Sequence, residues 1–134
     1  MNGKFVHGED IERERLDWGG LGWISRPSST GAARLTIIEV TLEPGHAHDF
    51  HKHPDQEEVI LVQAGEVEQW IEEEKTVLGP GEAVFIGMGT VHASFNTGRE
   101  TAQLVVALGP CAGEGGYELV DVSGEEPWRS LRSP

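Results

Sequence analysis

Imidazole and carboxylate side chains are concentrated between residues 45 and 65. His51 and His53 are separated by one residue, so in an extended strand both rings project from the same face, within reach of one ion. Glu58 can add a carboxylate to the same site. Imidazole together with carboxylate suits a divalent transition metal, and ordinary surface composition does not explain such a density of both. This segment therefore predicts a metal site.

The glycines around these side chains give the segment a second recognisable feature. Its pattern is Gly45, five residues, His51-x-His53, four residues, Glu58, six residues and Gly65. This pattern resembles the first motif of the cupin superfamily at every defining position.

A later segment resembles the second cupin motif. It has Gly81, ten residues, His92, three residues and Asn96, with Gly89 three positions before the histidine. One position departs from the family pattern, because Gly87 stands where a proline usually precedes this glycine. The departure should loosen the turn without removing a ligand.

The resemblance covers about residues 35–108 and implies both a fold and a ligand set. The fold is all-β, the double-stranded β-helix or jelly-roll barrel of cupins. The implied ligands of a divalent metal (Fe, Mn, Zn or Ni) are His51, His53, Glu58 and His92. A six-coordinate ion with these ligands keeps open positions, which favours catalysis, whereas structural zinc is commonly closed by cysteines.

Two acidic neighbours compete for the carboxylate position, because strand alternation turns only one of Glu57 and Glu58 inward. The family spacing to Gly65 selects Glu58, which could also accept a proton and is the candidate catalytic residue. Glu57 should then face outward, toward a lysine or arginine.

A second His-x-His pair, His46 and His48, precedes the matched histidines. Only the later pair has the family distances to the motif glycine and glutamate. We therefore expect His46 and His48 at the barrel mouth, with substrate contact or no role.

Short apolar segments recur between turn residues, which is typical of an all-β sandwich or barrel. The expected strands are 21–25 at an edge, then 34–42, 58–63, 67–71, 76–78, 83–86, 91–96, 101–108 and 117–122. Segments 58–63 and 67–71 should form a hairpin, and 83–86 should be buried. Residues 9–17 are charged and predict a short helix or an arm, and Pro127-Trp128 predicts a helical turn.

The length of 134 residues fits a single domain, with the barrel at about 21–122 and peripheral segments at 1–20 and 123–134. Acidic residues number 23 against 10 basic ones, and the formal charge of −13 repels phosphate backbones and anionic lipids. We therefore expect no nucleic-acid partner.

The single cysteine, Cys111, cannot form an intramolecular disulfide, and residues 1–8 lack the apolar core of a signal peptide. Both features indicate the cytoplasm. The longest apolar run, Leu104 to Leu108, is far below the ~20 residues that span a bilayer, so we expect no membrane segment.

The expected function is that of a metal-dependent enzyme acting on a small oxygen-bearing organic molecule. Iron or manganese would favour a dioxygenase, and zinc or nickel an isomerase, cyclase or lyase; the alternative is a non-catalytic metabolite-binding cupin. The expected pocket walls are mainly apolar and favour an aromatic or ketonic substrate: Ile60, Val62, Phe85, Met88, Ser94 and Phe95.

Small cupins commonly pair through a sheet, so the resemblance also implies a homodimer. Four aromatic residues in the terminal segments, Trp18, Trp23, Tyr117 and Trp128, need a cover that a partner subunit could supply.

Overall fold

The computed structural model describes residues 2–132, which form two antiparallel β-sheets and little helix. The strands are β1 Glu12–Leu16, β2 Gly19–Ser25, β3 Thr36–Leu42, β4 Ala47–Lys52, β5 Glu57–Ala64, β6 Val67–Ile71, β7 Glu74–Leu78, β8 Ala83–Ile86, β9 His92–Phe95, β10 Ala102–Gly109 and β11 Val120–Asp121. Short helices are α1 Pro27–Thr30 and α2 Trp128–Leu131, and Gly8–Asp10 form a 3-10 turn. No helix in the described range is long and apolar enough to cross a membrane.

Consecutive strands in the middle of the chain mostly alternate between the two sheets. The six-stranded sheet has the order β1-β2-β3-β10-β5-β8, and the five-stranded sheet has the order β11-β4-β9-β6-β7. From β4 to β6, and again from β8 to β10, each strand lies in the sheet opposite to its predecessor. This winding confirms the all-β, jelly-roll architecture that the sequence predicted.

The main core lies between the two sheets. Inner residues of β3, β5 and β10 alternate with outward ones along each strand, as expected for sheets with one buried face. Val67 and Leu78 from the five-stranded sheet join this core. Burial of each large aliphatic side chain stabilises the fold by about 1.5–3 kcal/mol.

Strand β9 is buried on both faces. His92 and Ser94 point to one side, while Ala93 and Phe95 belong to a second apolar cluster with Phe50, Trp70, Val91 and Val122. Trp128 and Leu131 pack on this cluster. The C-terminal segment therefore covers the outside of the five-stranded sheet, and Trp128 lies on its own barrel.

The expectation of a helix or arm at residues 9–17 is wrong, because Glu12–Leu16 form the edge strand β1. Strand β2 is consequently internal rather than an edge. The charged residues of β1 do not need an apolar face, since they point to solvent and pair with acids or bases on neighbouring segments: Arg13–Glu39, Arg15–Glu43 and Arg26–Glu12, each at 3.0 Å.

The expected hairpin between β5 and β6 is also wrong, since these strands lie in different sheets. Gly65 has φ 73°, and a Cβ there would lie 2.7 Å from the carbonyl oxygen of Thr101. Only glycine fits this turn without strain, and the turn passes the chain between the sheets. The hairpin in this region is β6–β7.

Strand β8 is largely exposed, contrary to prediction, because it forms an edge of the six-stranded sheet. The outer face of this sheet is divided. The charge pairs described above cover the part formed by β1–β3, whereas apolar side chains occupy outward positions around β5, β8 and β10. We call this second part the apolar outer face: Leu35, Val59, Leu61, Phe85, Val105 and Ala107.

Candidate metal centre

Strands from both sheets bring the motif side chains together. His51 on β4 is the register partner of His92 on β9, and His53 follows β4 by one residue. Glu58 enters from β5 in the opposite sheet. His51, His53 and His92 are buried, and their candidate ligand atoms all lie within 4.8 Å of one another. The structure therefore groups the three histidines that the motifs matched, and Glu58 adjoins them.

Backbone carbonyl groups orient each of the three rings. Nδ1 of His51 lies 2.7 Å from the oxygen of Asp49, and Nδ1 of His53 lies 2.8 Å from that of Glu118. Nδ1 of His92 lies 3.0 Å from the oxygen of Thr90. A carbonyl oxygen only accepts, so each Nδ1 donates its hydrogen and each neutral ring keeps Nε2 as a lone-pair donor. Metal-binding histidines are typically held in this way.

Glu58 provides the clearest indication that a cation fits here. Its Oε1 lies 2.8 Å from Nε2 of His92 and 3.4 Å from Nε2 of His53. Within the described chain, Glu58 Oε1 and His92 Nε2 are buried atoms without a hydrogen-bond partner. Two acceptors this close repel unless a proton or a cation lies between them. The residues present therefore fit a divalent metal with nitrogen and oxygen ligands.

Burial keeps most of these imidazoles neutral. Burial, followed by the neighbouring histidines, lowers the pKa of His51 well below its usual value, and burial also lowers the pKa of His53. Burial opposes protonation of His92 too, but the adjacent carboxylate of Glu58 and the carbonyl of Thr90 outweigh burial and raise the pKa of His92. Neutral imidazole is the form that binds metal, so the site is electrostatically prepared for a cation.

The turn before β9 connects the two motifs. The Gly89 amide donates to the carbonyl of His53 at 3.0 Å, and the Thr90 amide donates to Gly87 at 3.1 Å. The turn therefore forms although Gly87 stands at the usual proline position. Its Thr90 carbonyl is also the group that orients His92.

Glu57 and Glu58 face opposite directions, as strand alternation requires. Glu58 is 5% exposed, whereas Glu57 is exposed on the outer side of β5. This orientation agrees with the choice of Glu58 over Glu57 for the site.

The first His-x-His pair does not join the three-histidine cluster, yet His48 touches it. The His48 ring stacks on His51 with centroids 3.6 Å apart and planes 15° apart. Its other face stacks on Trp18 at 3.9 Å and 14°. Burial, followed by the charges of His92 and His53, lowers the pKa of His48 to about 3. His46 Nδ1 is buried without a hydrogen-bond partner in residues 2–132.

A small cavity of about 30 Å³ adjoins the motif side chains. Its aliphatic walls are Leu21, Ile38, Val40, Val106 and Leu108, and two aromatic residues, Trp18 and Tyr117, complete them. The six wall residues that the sequence predicted do not line this cavity: Ile60, Val62, Phe85, Met88, Ser94 and Phe95. Phe85 and Met88 are more than half exposed, and Ser94 donates to Gln69.

Gln56 is a residue that sequence reasoning missed. Although it is polar, it is 2% exposed. Its Nε2 donates to the carbonyls of Pro110 and Gly116 at 2.8 and 3.0 Å, and its Oε1 accepts from the Glu118 amide at 3.2 Å. Since the Glu118 carbonyl orients His53, Gln56 fixes the segment that carries both this carbonyl and Tyr117. A lone glutamine between motif positions gives no pattern from which to predict this.

Comparison with known proteins finds similar sequences and a similar fold. Protein SchB of Streptomyces halstedii is 29% identical over 109 residues, which cover 81% of this chain and 79% of SchB. Polyketide synthase CurC of Streptomyces cyaneus is 29% identical over 112 residues, or 84% and 73% of the two chains. The solved structure of KdgF from a Halomonas species aligns with a TM-score of 0.74 at 18% identity, over 84% of this chain and 98% of that one. The pattern that defines the family described as "Cupin domain" matches residues 38–108, so the chain belongs to the cupin family.

Proposed function

We propose that this protein is a metal-dependent cupin enzyme that acts on a small oxygen-bearing organic molecule. The observation that carries the proposal is the orientation of the three histidines. Each ring donates its Nδ1 hydrogen to a backbone carbonyl group. The Nε2 atoms are therefore left to converge beside the buried carboxylate of Glu58. A purely structural zinc site would more commonly be closed by cysteine ligands, and the only cysteine, Cys111, is not in this cluster.

His51, His53, His92 and Glu58 would hold the ion, which when bound would polarise a substrate oxygen as a Lewis acid. Glu58 is the one residue of this set that also suits proton transfer, because its carboxylate has a second oxygen that can accept a proton while Oε1 faces His53 and His92. We propose that it accepts a proton from the carbon or hydroxyl group next to the bound oxygen. Glu58 is only 5% exposed and aliphatic residues line much of the cavity beside it, which would limit the access of bulk water to this transfer.

The walls also favour a substrate class. Five aliphatic side chains and two aromatic rings offer few hydrogen-bonding groups, which suits a ketonic or aromatic molecule better than a sugar. The similarity to a protein named polyketide synthase CurC supports the same class, because polyketides are rich in keto and phenol oxygens.

The identity of the metal divides the proposal into two reactions. Iron or manganese would support a dioxygenase, whereas zinc or nickel would support an isomerisation, cyclisation or elimination that consumes no oxygen. A non-catalytic metabolite-binding cupin has no need of a proton acceptor at the site, so the position of Glu58 favours the enzyme.

A substrate screen tests the proposal. Protein loaded separately with iron, manganese, zinc or nickel is incubated with panels of β-diketones, phenols and hydroxy acids, while oxygen uptake and product mass are recorded. We expect turnover with at least one metal and none with metal-free protein. Tight binding of a panel compound without turnover under any metal would support the binding module instead.

We further propose that a second copy of this chain covers the apolar outer face. This surface contributes to a groove of about 440 Å³ whose lining also includes Arg34 and Glu57. Neither side chain makes an ion pair or hydrogen bond to the described residues. We propose that each arginine faces the partner's glutamate, a pairing that a two-fold contact would form twice because the same patch meets itself. The terminal aromatics do not need this partner, since Trp18, Trp23, Tyr117 and Trp128 pack on their own barrel.

A further inference from the structure

Regular alternation along β4 would place His48 and His51 on opposite faces of the strand, because their positions differ by three. Their rings are nevertheless stacked on one another, so both lie on the inner face. The pairing of β4 with β9 explains this. The partners of the two histidines, Ser94 and His92, are only two residues apart on β9, so β4 contains an extra residue. A β-bulge of this kind re-aims side chains and is common beside functional sites.

The bulge also supplies the group that orients His51. The Asp49 carbonyl accepts from Nδ1 of His51 at 2.7 Å. The Asp49 carboxylate accepts from the Phe50 amide at 2.7 Å, and the Phe50 carbonyl accepts from the Val122 amide at 3.0 Å. These bonds satisfy backbone groups at the bulge and hold its shape.

Three aromatic rings form a stack at this position. The rings of His48 and His51 are parallel to within 15°, with centroids 3.6 Å apart, and Trp18 stacks on the other face of His48 at 3.9 Å. The hydrogen bond at Nδ1 fixes one point of the His51 ring but permits the ring to tilt about that point, and the stack removes this freedom. The printed ring contacts of His53 and His92 are tilted or edge-on. Within residues 2–132, His51 is therefore the one metal ligand that a parallel stack holds.

The same geometry excludes His48 as a ligand of the metal that His51 would bind. A metal bound to an imidazole nitrogen lies in or near the plane of that ring. The two rings are stacked face to face, so one ion cannot lie in both planes. The cluster of candidate ligand atoms accordingly contains His51, His53 and His92 without His48. A role of His48 in metal binding must act through His51.

We propose that His48, supported by Trp18, is a positioning residue that fixes the plane of the His51 ring and thereby the direction in which its Nε2 meets the metal. This inference rests on the proposed function, because it assumes a metal at the three histidines. It gives the earlier His-x-His pair a role that its spacing does not predict. The role requires a flat ring at position 48 rather than a ring nitrogen.

Cobalt(II) binding tests this role through two measurements. Competition with a chelator gives the dissociation constant, and the visible absorption band of bound cobalt reports the ligand geometry. His48→Leu should weaken cobalt binding about tenfold and shift the band, because the ring of His51 is then free to tilt. His48→Phe should stay within about threefold of the wild type and keep its band, since a flat ring remains. Trp18→Leu, at the outer, half-buried end of the stack, should weaken binding about threefold.

His46→Leu is the matched control, because it removes the other imidazole of the pair, which is not part of the ligand cluster. It should leave both measurements unchanged. Wild-type affinity and band in His48→Leu, with one cobalt per chain, would overturn the inference alone. A His48→Phe protein that loses cobalt as His48→Leu does would also overturn it, since a ring nitrogen would then be required.

Trp18→Leu keeps the test decisive if His48→Leu does not fold. Wild-type affinity and band in Trp18→Leu would then contradict the role of the stack. Wild-type protein that binds no cobalt would overturn the proposed metal site and the inference together.

Discussion

Glu58 Oε1 and His92 Nε2 lie 2.8 Å apart, and both atoms are buried. The hydrogen of His92 is committed to Thr90 through Nδ1, so in the neutral ring Nε2 has only a lone pair to present to the carboxylate. The pair is stable with a proton or a cation between its members. The alignment of two strands from opposite sheets thus creates a position where a metal relieves a repulsion.

Glu58→Gln should lower turnover per bound metal by about a hundredfold or more, because the amide keeps the shape but cannot accept the proton. Metal retention should fall less, since three imidazoles remain. The measurement is the reaction rate divided by metal content, on the substrate that the screen identifies.

Glu57→Gln is the matched control for this substitution, because Glu57 is the adjacent residue of β5 and faces solvent. It should leave turnover per metal unchanged. A larger effect at Glu57 than at Glu58 would contradict the assignment of Glu58, and an unchanged rate in Glu58→Gln would restrict Glu58 to metal binding.

Gln56→Leu should weaken both the fold and the metal site. The substitution removes three hydrogen bonds and leaves buried backbone groups without partners, which should lower the free energy of unfolding by roughly 2–5 kcal/mol. It also releases the Glu118 carbonyl that orients His53, so metal affinity should fall about tenfold. Denaturant unfolding and metal titration measure the two effects.

The exposed Gln63, on the strand β5 that begins directly after Gln56, provides a control for Gln56. Gln63→Leu should change stability by no more than about 0.5 kcal/mol and leave metal affinity unchanged. A Gln56→Leu protein that loses stability but binds metal normally would show that this glutamine has only a structural role.

Local patterns predicted the central part of this structure well. The His-x-His spacing placed His51 and His53 on one buried side because alternation along a strand is a local property. The same rule turned only one of Glu57 and Glu58 inward, and the family spacing to Gly65 selected Glu58.

The errors concern properties that depend on distant contacts. The exposure of Phe85 follows from the edge position of β8, and the charged β1 is a strand because β2 supplies its hydrogen-bonding partner. The cavity walls were misassigned for the same reason. Trp18 and Tyr117 are remote from the motifs in sequence and reach the site only through the fold.

The proposed dimer predicts a reciprocal charge effect. Arg34→Glu and Glu57→Arg should each weaken dimerisation, because each places like charges opposite one another twice in a two-fold contact. The double variant should recover the dimer, and so should a mixture of the two single variants. Sedimentation over a micromolar range measures the association.

Phe85→Asp should also shift the protein toward monomers, because it replaces the most exposed ring of the apolar outer face by a charge. Lys4→Asp is a control that should not change the association, because Lys4 lies outside the apolar outer face and donates to the carbonyl of Ser29. A wild-type protein with the mass of one chain throughout this range would contradict the dimer.

Metal content per chain is the most direct test of the central claim, that His51, His53 and His92 with Glu58 form a metal centre. Elemental analysis of protein purified without chelator, or after incubation with iron, manganese, nickel or zinc, should give about one divalent ion per chain. His51→Ala, His53→Ala and His92→Ala should each lower this content about tenfold or more, while His7→Ala, an exposed residue, should not change it. Wild-type protein that remains well below one ion per chain with every metal, or equal losses in His7→Ala and the three cluster variants, would contradict the account.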